Sequence, residues 1–378
     1  MKRLPANRRA RLSKRFLARL ERPGLSPRSE RRLNYGLAVL VALFLAGWSQ
    51  AVVVAVSEER APRMASRITA NPLSATAPPP AAFLLDAALR SFVELPDYRG
   101  ISGDVRIIVH EPGADSLAFP DSLPPGVSVG FGGEDRTPTD AAAIEREPTG
   151  PGIWNVIVQA RDAIRTVPDL SVITLVPLSE KRGGRIGRYL IGEWPWERGG
   201  TPRSPEYAPP AGVIRVTPEN QDLPVSAHFR LRDFLTKGQT DVWPKYVVVS
   251  PRLLDKLELV IDRLEASGHP VENVGIISGF RTPTYNESGG NPGGRGALSR
   301  HMYGDAMDFF VDNDGDGRMD DLDGDGRVGR GDGRVIAEAA ERVEREYPEL
   351  VGGVSVYAPT GGHSGFVHID TRGYRARW

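Results

Sequence analysis

From Tyr35 to Val56 the chain reads YGLAVLVALFLAGWSQAVVVAV, 22 residues without a charged side chain. At about 1.5 Å of rise per residue, a helix of that length crosses the roughly 30 Å hydrocarbon core of a bilayer. The stretch before it is strongly basic, with twelve Lys and Arg in residues 1–32 against only Glu21 and Glu30. Basic flanks stay on the cytoplasmic side of a span. Residues 1–34 are therefore expected to be a cytoplasmic tail, and 35–56 an uncleaved signal-anchor helix in the cytoplasmic membrane. Everything after Val56 is then expected in the periplasm or extracellular space. A cleaved signal peptide is the alternative, but it carries a shorter apolar stretch and a much shorter basic region. Nucleic-acid binding by the tail is disfavoured by its position against the span.

The 378 residues include no cysteine. Disulfides and thiolate metal sites are thereby excluded, and any transition-metal site must be built from His and carboxylates. Residues 57–95 are rich in Ala, Pro and Ser, with the run Ala77-Pro78-Pro79-Pro80-Ala81, and are expected to form a semi-extended linker with room for a short helix around Ala82–Val93. Residues 96–216 hold short β-type runs between Gly, Pro and Asp turns: Val105–Val109, Gly126–Gly130, Ile153–Ala160, Leu170–Val176, Arg188–Ile191 and Val213–Val216. Their spacing predicts a β-rich, sandwich-like domain serving as spacer or binding module. Trp194, Trp196 and Tyr207 at its Pro-rich exit either stack on sugars or pack this linker against its neighbour.

Residues 225–378 have a different texture. Leu253, Leu254, Leu257, Val260, Ile261 and Leu264 recur on one face of a helix that starts near Pro251 and stops before Gly268. A strand is expected at Val274–Ser278, a second helix at Arg334–Glu346, and a strand pair at Val354–Tyr357 and Phe366–Asp370. The expected fold class is α+β, a small antiparallel sheet with flanking helices.

Two local patterns carry chemistry: Ser299-Arg-His301-Met-Tyr-Gly304-Asp-Ala306-Met-Asp308 and Phe366-Val-His368-Ile-Asp370. A catalytic zinc takes three N or O ligands from protein and keeps a fourth position open, and His301, Asp308 and His368 supply such a set. On a strand, Gly304, Ala306 and Asp308 share one face, with small residues where a substrate or metal could approach. Spacing alone leaves a second reading open, of hydrogen-bonded structural histidines.

The combination His-x-x-Gly-x-Ala-x-Asp with a late Val-His-Ile-Asp resembles the zinc D-alanyl-D-alanine peptidase family, which includes DD-carboxypeptidases, D,D-dipeptidases and murein endopeptidases. Ser278-Gly279-Phe280-Arg281-Thr282-Pro283-Thr284-Tyr285-Asn286 is similar to that family's Ser-Gly-Tyr-Arg-Ser-Pro segment. Gly352-Gly353-Val354 and the stretch from Phe366 to Arg372 resemble the murein endopeptidase branch. The resemblance covers about residues 225–378. It implies a zinc DD-peptidase-like domain that hydrolyses amide bonds at D-amino acids in peptidoglycan stems or crosslinks. It also implies zinc on His301, Asp308 and His368, with Arg281, Ser299 and Tyr285 at the substrate. An arginine suits a substrate carboxylate or developing oxyanion because it stays charged and binds bidentately; a structural salt bridge is its alternative role. One departure stands out: where many members carry an Asp or Glu as general base, three residues before the last histidine, this chain has Gly365. Asp370, His363 and Asp305 are the remaining candidates for the base.

An insertion at 312–333, DNDGDGRMDDLDGDGRVGRGDG, has calcium-loop spacing. Asp312, Asp314, Asp316 and Gly317 occupy positions 1, 3, 5 and 6 of an EF-hand-type loop, with Asp320 at 9 and Asp323 at 12. A second register runs from Asp321 through Asp323 and Asp325 to Asp332. Bound calcium is expected here, beside zinc. The expected partners are peptidoglycan peptide stems and the membrane, not nucleic acid, with a protein activator left open. The alternative function is a non-catalytic, zinc-stabilised module that recognises cell wall or protein.

Overall fold

The computed structural model describes residues 81–378 apart from 94–95, 115–116, 118–122, 134–143, 162 and 290–294. The cytoplasmic tail expected over 1–34, the membrane span over 35–56 and most of the 57–95 linker lie outside the described residues. No helix among the described residues is long and apolar enough to cross a membrane. The described residues fall within one unit of mixed α+β structure, with several small sheets and few helices.

The expected linker already contains folded chain. Helix α1 (Ala81–Val93) buries Leu84, Leu85, Ala88 and Phe92, spaced to share one helical face. A one-turn helix α2 (Pro96–Arg99) leads into β1 (Ile107–His110), β2 (Val127–Gly133), β3 (Gly152–Ala160) and β4 (Ala163–Thr174). These strands form one sheet in the order β1-β4-β3-β2, with β1 parallel to β4 and the other pairs antiparallel. Trp154, Val156 and Val158 pack with α1, while Ile153, Ile173 and Ile107 join the large core of the C-terminal region. Over residues 107–174 the expected sandwich is thus corrected to one four-stranded sheet covered on one face by a helix. Both faces of its strands are apolar because both are buried, a pattern that two facing sheets would produce equally well.

Four further short strands follow: β5 (Val176–Pro177), β6 (Arg185–Ile186), β7 (Tyr189–Leu190) and β8 (Gly212–Val216). β8 pairs with β5 and with β9 (Lys245–Val247), so one three-stranded sheet is assembled from both expected domains. The C-terminal region then supplies α3 (Pro251–Ala266), β10 (Val274–Ser278), α4 (Pro283–Ser288), β11 (Ala306–Val311), α5 (Arg330–Glu346), β12 (Gly353–Tyr357), β13 (Phe366–Asp370) and β14 (Ala376–Arg377). Its sheet runs β10-β11-β13-β12-β14, antiparallel except for β12 with β14. Met307, Phe309, Val367 and Ile369 point into the core shared with α3 and α5. Burying each such side chain contributes about 1.5–3 kcal/mol. Strand alternation therefore puts Asp308, His368 and Asp370 on the opposite face.

One buried carboxylate outside that face has a pH signature. Glu258 on α3 accepts from His228 through the backbone N–H at 2.8 Å and Nδ1 at 2.6 Å. The hydrogen bond to Glu258 raises the His228 pKa, against the opposing effect of burial, and the charges of Glu258, Glu265 and Asp104 add to the rise. A raised folded-state pKa stabilises the protein below the ordinary value of about 6.5, and that gain is lost as pH climbs through the folded value. His228→Ala is expected to cost about 1–2 kcal/mol at low pH. The loss in melting temperature should be larger at pH 6 than at pH 9; equal losses would contradict this account.

Candidate metal centre and its cleft

Three adjacent strands set the centre. Asp308 on β11 lies directly opposite His368 on β13 and, on its other side, Ser278 on β10. His301 comes from the 3₁₀ turn Arg300–Tyr303, which ends at Gly304 with φ 69°. A Cβ at Gly304 would sit 2.3 Å from the Val248 carbonyl oxygen. Gly304 is small because it turns the chain against β9's continuation, not to admit a substrate as its place on the expected strand suggested.

His301 Nε2, His368 Nδ1 and Asp308 Oδ1 converge. The two nitrogens are 3.2 Å apart, and they lie 3.2 Å and 2.8 Å from the carboxylate oxygen. Donors on a tetrahedral ion with bonds near 2.0 Å stand about 3.3 Å apart, so this spacing fits a small cation of the zinc type. The tautomers also fit. His301 Nδ1 lies 2.6 Å from the Gly279 carbonyl, and His368 Nε2 lies 3.0 Å from Asp370 Oδ2. Both outer partners can only accept, so both rings carry their proton on the outer nitrogen and turn a lone pair inward. All three residues are buried. Burial lowers the pKa of His301. Burial acts the same way on His368, but hydrogen bonds to Asp308 and Asp370 and their charges push it up to about 9. Burial opposes ionisation of Asp308 as well, yet His301 and His368 hold its carboxyl well below the usual carboxylate range. A proton bridging His368 and Asp308 satisfies the trio without a metal, and one divalent ion would satisfy all three donors.

The surrounding shell revises several expected roles. Asp370 is wholly buried behind His368, where it also accepts from Gly353 N–H at 2.7 Å and from Arg372 Nε at 2.9 Å. It orients the ring and is not placed to act as base. Asp370→Asn is therefore expected to weaken zinc binding by about 10–100-fold in a competitive chelator titration; unchanged affinity would exclude the orienting role. Asp305 is locked to Arg300, Nε to Oδ1 at 3.0 Å, and buried. At Gly365 a Cβ would stand 3.3–3.4 Å from Pro359, Met319 and the Tyr357 carbonyl, so a carboxylate there would need these neighbours to give by a few tenths of an ångström. His363 is exposed in the cleft wall, with Nδ1 2.6 Å from the Ser364 carbonyl. That contact places its proton on Nδ1 and leaves Nε2 as an acceptor.

Arg281 hydrogen-bonds Asp308 Oδ2 at 2.6 Å and Ser278 Oγ at 2.8 Å. Its guanidinium holds the ligand carboxylate while still lining the cleft. Ser299 precedes the turn that carries His301 and also lines the cleft. Tyr285 does not line it; the ring is covered by Arg295, whose Cζ lies 4.2 Å from the ring centroid. The cleft holds about 520 Å³. Arg295, Arg372, Tyr357 and Trp378 are wall residues that the sequence reading missed. Arg295 follows a glycine-rich stretch with no periodicity to place it. Trp378 packs 5.2 Å from the His368 ring and donates its indole N–H to Tyr357 at 2.7 Å, contacts no local pattern announces. Trp194 and Tyr207 prove to be packing residues: Trp194 donates to the Met302 carbonyl at 2.6 Å, and Tyr207 meets Tyr303 edge-on.

The acidic insertion folds as two separate trios. Asp312, Asp314 and Asp316 converge, as do Asp321, Asp323 and Asp325. Asp323 thus belongs to the second trio and does not close the first. Asp320 accepts from Asn313 N–H at 3.1 Å. Asp332 accepts from the amides of Leu322, Asp323 and Gly329 and caps the start of α5. Met319, between the trios, is buried against Phe310 and Phe366 and donates its N–H to Ser364 at 2.7 Å. The insertion is therefore pinned behind the cleft wall.

Compared with protein-family models, curated proteins and solved structures, the chain finds no match in any of the three.

Proposed function

We propose that the chain is a membrane-anchored zinc metallopeptidase that hydrolyses amide bonds at D-amino acids in peptidoglycan peptides or crosslinks. The observation that carries this is the inward-facing trio of His301, Asp308 and His368 at the foot of an arginine-lined cleft. The resemblance of residues 225–378 to the zinc D-alanyl-D-alanine peptidases supplies the substrate class, and the apolar run 35–56 supplies the anchor. In this reading the five-stranded sheet with α3 and α5 is a DD-peptidase-like domain.

When bound, zinc supplies a Lewis acid for the scissile carbonyl and makes water ionise near neutral pH. The chain's own residues do the remaining work. Asp370 and the Gly279 carbonyl hold the two rings in the ligating tautomer. Arg281 fixes Asp308 and, with Arg295 and Arg372, offers fixed positive charge to a stem carboxylate or to oxygen as it gains charge. In this reading His363 Nε2, in the cleft wall, is the acceptor that takes and returns a proton. In the same reading the two Asp trios take calcium, which orders the insertion behind the cleft wall. Chelating calcium with EGTA is then expected to expose 312–333 to limited proteolysis, reversed by added calcium; an unchanged digestion pattern would remove calcium from the account.

A second reading rests on a specific observation. Asp370 and Asp305 are both engaged and Gly365 supplies no carboxylate, a feature that suits a zinc-stabilised recognition module without catalysis. Incubating zinc-loaded protein with purified sacculi separates the two. Release of cleaved muropeptides supports the peptidase, whereas binding to sacculi without release supports the module.

A further inference from the structure

A second cleft of about 660 Å³ adjoins the metal cleft, and Arg295 and Leu298 line both. Each is within the range of about 300–1,000 Å³ that holds a small ligand or peptide segment. Their charges differ. The metal cleft presents Arg295, together with Arg281, paired with Asp308, and Arg372, paired with Asp370 behind the wall. The second cleft presents Glu193 and Glu287, with Arg295 at the shared border. Among the described residues Glu193 pairs only with Arg198, whose side chain is 82% exposed. Glu287 is exposed and makes no ion pair among the described residues.

Part of the second cleft's wall is fixed. Trp194 is buried and tied to Met302, which gives the cleft a rigid apolar side. Asn286 is only 5% exposed. Its Nδ2 donates to the Gly296 carbonyl at 3.0 Å, which sets the amide orientation, while Oδ1 is buried with no hydrogen-bond partner among the described residues.

We infer that this second cleft is a subsite for the ammonium-bearing segment of a peptide whose reacting amide lies at the metal centre. The inference rests on the peptidase reading for the position of that amide. A groove with cations at one end and carboxylates at the other selects a zwitterionic peptide with its carboxylate end towards the arginines. A stem peptide can present a primary ammonium from a diamino-acid side chain or from its N-terminus.

The probe is a synthetic stem pentapeptide containing a diamino acid, compared with versions acetylated at the side-chain nitrogen or at the N-terminus. Binding to zinc-loaded protein is measured by calorimetry, and cleavage by chromatography. Acetylation at one nitrogen is expected to weaken binding by about tenfold and so identify the group seated. The Glu193→Gln, Glu287→Gln double variant alters only exposed or half-exposed side chains. It is expected to bind the unmodified peptide about tenfold more weakly and to lose the preference. Equal binding of all three peptides, no binding of any, or a preference that survives in the double variant would each overturn the subsite. Selective binding without cleavage would leave the subsite standing and remove the peptidase reading; cleavage without selectivity would do the reverse.

Discussion

On the peptidase reading, His301→Ala protein treated with zinc as the wild type is treated is expected to release muropeptides at least about a thousandfold more slowly, because metal ions supply several kcal/mol of charge stabilisation and each decade is worth about 1.4 kcal/mol. The variant removes one of three inward donors and leaves Asp308 and His368 with Arg281 and Asp370. Two donors hold zinc far less tightly than three, so loss of metal and loss of rate should coincide. His368→Ala is expected to match it. Because Gly279 loses only a side-chain donor to its carbonyl, the fold should survive, and a melting curve near that of wild type would confirm that the effect is local. Retention of even a tenth of the rate would mean that the chemistry lies elsewhere.

The largest effect on stability is expected at Lys256. Its ammonium is fully buried between α3 and α5, donating at 2.7 Å both to Glu344 Oε1 and to the carbonyl of Asp370. Glu344 also accepts from Gly352 N–H at 3.0 Å and from Arg377. Burial lowers the Lys256 pKa, and Glu344 acts against that shift. Lys256→Met keeps the volume but strips Glu344 of one partner and the Asp370 carbonyl of its donor. Breaking a buried pair from one side costs about 3–5 kcal/mol. Denaturant unfolding should show that loss, and Glu344→Gln in the same background should recover part of it, since the two positions are coupled. A loss below about 1 kcal/mol would show that the network relaxes without cost. The same contact ties α3 to the residue that orients His368, so metal affinity should fall along with stability.

The site was more legible in the sequence than the architecture around it. Strand alternation placed His368 and Asp370 on one face with Val367 and Ile369 on the other, and β10 and β13 lie where the pattern put them. The pairing of Asp308 with His368 was not readable, because register between strands separated by an insertion leaves no local mark. Asp370 looked like a base because it is polar and close in sequence to the last histidine. Only the structure shows that it meets the outer nitrogen, with Arg372 and Gly353 taking its remaining capacity. Helix α5 begins at Arg330, four residues before its apolar pattern, because Gly331 and Gly333 conceal a first turn capped by Asp332. The β5-β8-β9 sheet draws strands from Val176 to Val247, and contacts over that separation leave no periodicity to follow.

Zinc content of the purified, dialysed protein tests the central claim most directly. Wild type is expected to retain about one zinc per chain, as a three-ligand protein site should, and His301→Ala to retain almost none under the same dialysis. Any calcium taken up by the acidic loops does not enter this measurement, because zinc is counted by its own mass. A wild-type protein that loses its zinc, or a His301→Ala protein that keeps it, would contradict the assignment of His301, Asp308 and His368 as a metal centre.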